Sequence, residues 1–172
     1  MISNGQLPSE AVRRIDACID SLQAAERQLP HSLPSTEIDA LFRILTEFYD
    51  DGSDVIRFRI VSRLSVSKLA QRRRILVRAL KDDPSAIVRH EAAFALGWSG
   101  DSECVPLLEN SLLNDPSELV RHEAAMALAD LGAIDAIRSL EKGLNDTIAD
   151  VASSCQFAID AIRDGARRFP GD

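Results

Sequence analysis

The chain has 172 residues, 45% of them hydrophobic, 27% charged and only 5% aromatic, with a formal net charge of −7. That length suits one domain with its own core and excludes two, and the acidic balance argues against a dedicated nucleic-acid binder. No run approaches the about 20 apolar residues of a membrane span, and the opening MISNGQLPSE lacks the basic and apolar regions of a secretory leader.

In chain order, residues 9–28 (SEAVRRIDACIDSLQAAERQ) and 36–50 (TEIDALFRILTEFYD) are predicted as capping helices of an N-terminal section, 1–50. The prolines of the intervening LPHSLPS forbid a continuous helix, and His31 between them reads as a loop residue. From Arg57 to Lys81 there are nine basic residues and no acid, so the remaining 11 cations face all 27 acids, or −16. Such a cluster could attract an acidic protein or nucleic acid, with Arg72, Arg73, Arg74 and Arg78 as an anion or partner patch. The alternative is that it neutralises the acidic end caps or a symmetry mate. The alternative is favoured, because Arg72, Arg73 and Arg74 point in three directions around a helix.

From residue 53 the chain repeats. DDPSAIVRHEAAFALGWSG (82–100) lies over NDPSELVRHEAAMALADLG (114–132) at an offset of 32 without a gap. VIRFRIVSRL (55–64) matches upstream at the same offset, and DVASSCQFAI (150–159) downstream at 31. About four units over 53–163, then a tail at 164–172, make one domain of 1–172. In each unit Asp83 or Asp115 is the expected N-cap with proline at the first helical position. Val88, Ala92, Ala95 and Leu96, like Val120, Ala124, Ala127 and Leu128, form an apolar helical stripe, and Gly100 and Gly132 stop the helix. Second helices follow at 102–113 and 133–144. A lone hairpin cannot bury its apolar face, so the units must stack. The predicted fold is all-α, a short right-handed α-solenoid with N-terminal capping helices. Cys18, Cys104 and Cys155, scattered and without a CxxC pair, read as reduced thiols of a cytoplasmic protein.

Two of the three histidines, His90 and His122, hold the same place in the two central units, each followed by a glutamate, Glu91 and Glu123. The outer units have Phe58-Arg59 and Ser153-Ser154 there, so packing does not demand the pair. Arg57, Arg89 and Arg121 recur even where the pair is missing. That persistence gives them a structural role, bonding an aspartate such as Asp83 or Asp115 across the repeat seam. At about 100° per residue, the pair flanks a second stripe of Ile87 and Phe94, matched by Leu119 and Met126. Trp98 falls on the same side and is expected in the inter-repeat core. Stacked helices about 8–10 Å apart would let two imidazoles reach a common ion. Two histidines and a carboxylate leave open positions for oxygen chemistry at iron(II). A zinc-protease HExxH is excluded, since Phe94 and Met126 stand four after each histidine. The competing reading is a wet polar face, its glutamates paired to arginines. Ser153 and Ser154 have no histidine nearby within their unit and are not expected as nucleophiles.

Units of the form DP-x-x-x-VR-x-x-AA-x-AL-G resemble the HEAT-like repeats named for phycobilin lyases, which serve as enzymes, scaffolds and adaptors alike. Tandem His-Glu pairs one repeat apart further resemble one half of the deoxyhypusine hydroxylase family, two HEAT-repeat lobes facing each other across a di-iron centre. The resemblance implies iron as cofactor, His90, His122 and Glu123 as ligands, and Glu91 as a further ligand or a carboxylate beside the substrate. One lobe instead of two implies a homodimer that completes the site, or a single metal. The alternative is a non-catalytic scaffold for a protein partner.

Overall fold

A computed structural model describes residues 9–27, 34–65, 67 and 71–168. His31, and with it the loop expected there, lies outside the described residues. Nine α-helices occur among the described residues: α1 (Ser9–Arg27), α2 (Ser35–Asp51), α3 (Asp54–Ser65), α4 (Arg72–Asp82), α5 (Ala86–Gly97), α6 (Val105–Asn114), α7 (Glu118–Asp130), α8 (Ile137–Gly143) and α9 (Ala149–Arg168). Single 3-10 turns, Ser102–Cys104 and Ile134–Ala136, lead into α6 and α8, so each second helix starts later than its apolar pattern suggests. The last helix continues to Arg168, well into the segment read as a tail.

The helices alternate between two rows. One row stacks α1, α3, α5, α7 and α9 side by side, and the other holds α2, α4, α6 and α8 behind it. The apolar stripes meet between the rows. Val88, Ala92, Ala95 and Leu96 of α5, and Val120, Ala124, Ala127 and Leu128 of α7, are all buried. Alanine on these faces lets neighbouring helices approach closely, and Gly97 brings α5 closer still. A β-carbon built there would lie 2.7 Å from both Cα and Cβ of Ala127. A β-carbon on Gly143 would lie 2.5 Å from the Cys155 sulfur. Gly100 and Gly132 take positive φ, 70° and 60°, just past the ends of α5 and α7, as helix-stopping glycines do. After α7 the stop is closed by the Ala133 N–H donating to the Leu128 carbonyl, 3.1 Å.

The recurring arginines build a ladder along the stack. Arg57 donates through Nε and Nη2 to both carboxylate oxygens of Asp83 (2.7 and 3.1 Å), Arg89 to Asp115 (2.8 and 2.9 Å) and Arg121 to Asp146 (2.6 and 3.0 Å). The Nη1 of Arg89 also donates to the Asp83 carbonyl, and that of Arg121 to the Asp115 carbonyl, so each arginine ties its own loop to the next. This fork-to-fork geometry is the strong form of the ion pair. It also overturns the N-cap assignment. Helices α5 and α7 begin at Ala86 and Glu118, with Ser85 and Ser117 at the cap positions and no side-chain cap bond. Asp83 and Asp115 stand two residues earlier, each accepting the N–H of the serine two residues on while the arginine takes the rest of the carboxylate. Asp83 is the most enclosed: burial pulls its carboxyl up, but hydrogen bonds from Arg57, Tyr49 and the Ser85 N–H together outweigh this and hold it below its ordinary value.

Candidate metal centre

The His-Glu pairs lie one residue beyond the ladder arginines, on the same helices α5 and α7. His90 Nε2 is 3.2 Å from Glu123 Oε2, reaching forward from one repeat to the next. His122 Nδ1 is 2.6 Å from the Ser154 hydroxyl in the repeat after that. Thus each histidine addresses the following unit's glutamate position, which the final unit fills with Ser154. By the same register Glu91 falls opposite Phe58, so α5 and α7 contribute one His-Glu contact, not two.

The protons can be followed. Ser154 donates its hydroxyl to the Asp150 carbonyl four residues back (2.7 Å), a common helical side-chain bond. Its oxygen then accepts from His122, which places the His122 proton on Nδ1 and leaves Nε2 with a free lone pair. On His90, Nε2 faces Glu123, whereas Nδ1 is buried with no hydrogen-bond partner. A satisfied structural histidine uses both nitrogens, and an unpartnered buried one costs about 1–3 kcal/mol. The hydrogen bond to Glu123 raises the His90 pKa against the opposing pull of burial, and the charges of Glu123 and Glu91 add to the rise. Glu123 is itself buried, at 9% exposure, an uncommon place for a glutamate that holds nothing.

The surroundings are only partly those expected. Among the described residues no group of three or more His, Cys, Asp and Glu side chains converges as a ready cage for an ion. Asp130, two turns beyond Glu123 and in the place that Trp98 holds one repeat earlier, has its pKa raised by partial desolvation and by the Glu123 charge. Sequence reasoning missed Ser154, because its histidine comes from the preceding unit; the 31-residue alignment on Glu123 was the available signal. Trp98 is no part of the core. It is 69% exposed, its ring centroid 5.8 Å from that of Phe94, and Ile87 and Leu119 are exposed too. The stripe that looked like a second packing seam is the open face of the first row.

The basic segment is mostly absorbed. Arg59 and Arg63 pair with Asp16 and Asp20 of α1, Arg73 with Asp101 and Glu103, and Arg78 with Asp50 of α2. Arg72 is buried and donates to the Leu64 and Ser65 carbonyls, so it is removed from any partner patch. The three thiols are buried and free. No helix among the described residues is long and apolar enough to cross a membrane.

A two-row stack with a 32-residue period meets an independent match: residues 73–160 fit the family described as HEAT repeats. The chain belongs to the HEAT-repeat family. Among solved structures, human deoxyhypusine hydroxylase in complex with glycerol is similar at a TM-score of 0.53 and 24% identity, over 95% of this chain and 48% of that one. The chain thus spans about half the length of that enzyme, and at this identity the likeness is one of fold. No curated protein sequence matches. Seen as HEAT repeats, the Arg-Asp rungs belong to the stacking itself, and the His-Glu contact is what these repeats add to it.

Proposed function

We propose that this HEAT-repeat protein binds a transition-metal ion, iron by the resemblance in its motifs, through His90, His122 and Glu123. The observation that carries the reading is the inter-repeat contact of His90 Nε2 with Glu123 Oε2 at 3.2 Å, beside a buried His90 nitrogen that has no other partner. Two ligands of one ion, each bonded at about 2.1 Å, stand about 3 Å apart, so the pair fits first ligands whose gap a proton now fills. The third donor proposed is the Nε2 of His122, which must turn toward the pair on loading, since no three such side chains already converge among the described residues; Ser154 accepts the proton of that ring at Nδ1, the support that ligating imidazoles need. Bound there, iron(II) would offer the open positions used in oxygen chemistry. Glu91 and Asp130 are the carboxylates left to orient a substrate or hold water beside it. A second copy of the chain would supply a second lobe facing this one, and the proposed hydroxylase-like activity is assigned to that dimer.

Metal analysis of protein loaded anaerobically with iron(II) tests this. Near-stoichiometric iron, lost in His90→Ala/His122→Ala while helicity persists, is expected, together with a dimeric mass by sedimentation. Protein that stays metal-free, or a double variant that retains its metal, overturns it. A second reading, a scaffold without chemistry, is favoured by the exposed Phe94, Trp98, Ile87 and Leu119 on the open face. It predicts no metal and a defined partner whose binding Trp98→Ala removes.

A further inference from the structure

The pairing of the basic segment leaves a remainder. Among its described cations, once the buried Arg72 is set aside, Arg74 and Lys81 are left with no carboxylate partner; both are exposed on α4. Arg43 on α2, also exposed, is unpaired as well. These three line one groove of about 880 Å³ between α2 and α4. The groove has a cause in the stack. In the second row α4 packs on α6 and α6 on α8, whereas α2 and α4 are pinned at their C-terminal ends, where Arg78 pairs with Asp50 and lies over the Tyr49 ring. Elsewhere the packing of α2 on α4 is sparse. The floor is apolar, formed by Phe42, Ile75 and Val77, and two acids, Asp39 and Asp82, stand against five cations in the lining.

We infer that this groove between α2 and α4 docks an acidic amphipathic segment of a partner protein, its apolar side chains on Phe42, Ile75 and Val77 and its carboxylates on Arg43, Arg74 and Lys81. Charge complementarity selects the occupant: an island of positive charge on a chain of net −7 attracts a local acidic motif and repels an extended polyanion. A nucleic-acid backbone would satisfy the cations and leave the apolar floor in water. Helix-in-groove recognition needs both parts, a greasy floor for anchors at three- and four-residue spacing and a charged rim that sets their direction. The groove opens on the second row, away from the His-Glu contacts, so its occupant does not depend on metal.

The test pans a random peptide library, displayed on phage, against the full chain and against Arg43→Glu/Arg74→Glu/Lys81→Glu. The three side chains are exposed and unpaired, so the triple variant should fold, which circular dichroism checks. Enriched peptides should alternate Asp or Glu with Leu or Phe at helical spacing. Their synthetic forms should bind about tenfold more weakly to the triple variant, and more weakly at high salt. No enrichment, or enriched peptides that bind both proteins alike, overturns the inference. A single-stranded oligonucleotide that binds as tightly as the peptides and is equally sensitive to the triple change reassigns the groove to polyanions and also overturns it.

Discussion

Arg89 and His90 are adjacent on α5, and both reach across the same seam, yet the two rungs behave differently along the stack. The arginine rung appears three times with the same forked geometry, from Arg57 through Arg121. The histidine rung changes at each step: Phe58 opposite Glu91 by register, His90 on Glu123, His122 on Ser154. A contact that stacking requires is copied with every repeat. One that varies beside it, while the backbone register holds, answers to something other than stacking.

The contrast can be broken from the arginine side first. Arg89→Ala leaves the Asp115 carboxylate, only 7% exposed, without its counter-ion and should cost about 3–5 kcal/mol in denaturant unfolding. Arg89→Met with Asp115→Asn should cost clearly less, since no bare charge remains. Gly97→Ala comes next: the added carbon meets Ala127 backbone and side chain, forcing α5 and α7 apart at about 1–3 kcal/mol. Because the same two helices carry His90 and Glu123, this variant should also lose metal affinity, read by titration with iron(II). Glu123→Ala should cost about 1 kcal/mol or less in stability, as the partly exposed His90 rehydrates, while abolishing metal uptake. A large stability loss there with unchanged metal content would turn the histidine rung into another structural one.

Acid provides the smallest and most graded probe. Asp83 and Asp146 are held below their ordinary pKa, Asp146 chiefly by the Arg121 hydrogen bond. A depressed folded-state pKa contributes stability that is present above the unfolded value and lost as pH falls through the folded one. Melting temperature should therefore decline below the ordinary carboxylate range, and Asp83→Asn should flatten that decline.

The period of 32 made the stack legible, and the persistence of Arg57 without a His-Glu pair made its ladder legible, because packing leaves a phase in the sequence that a helical wheel recovers. What stayed hidden was phase without occupancy. The wheel placed Ile87, Phe94 and Trp98 on one side but could not say whether a neighbour covers that side, and in a two-row stack none does. Asp83 and Asp115 had the composition of N-caps, but a carboxylate serves its strongest donor, and the guanidinium arrives from the preceding repeat. The His122 contact with Ser154 crosses units too, so reading each unit separately missed it.

One close approach has a use beyond packing. Cys155 sits where Gly143 lacks a side chain, fully enclosed, with burial pushing its thiol up to about 11. At neutral pH it is therefore doubly silent toward alkylating reagents, shielded and protonated, until α9 lifts from α8. The pace of its labelling is then a clock for the lifting of α9 from α8. Set beside Cys104, enclosed at the start of α6, it separates opening at α9 from opening at α6 in a single native-state experiment.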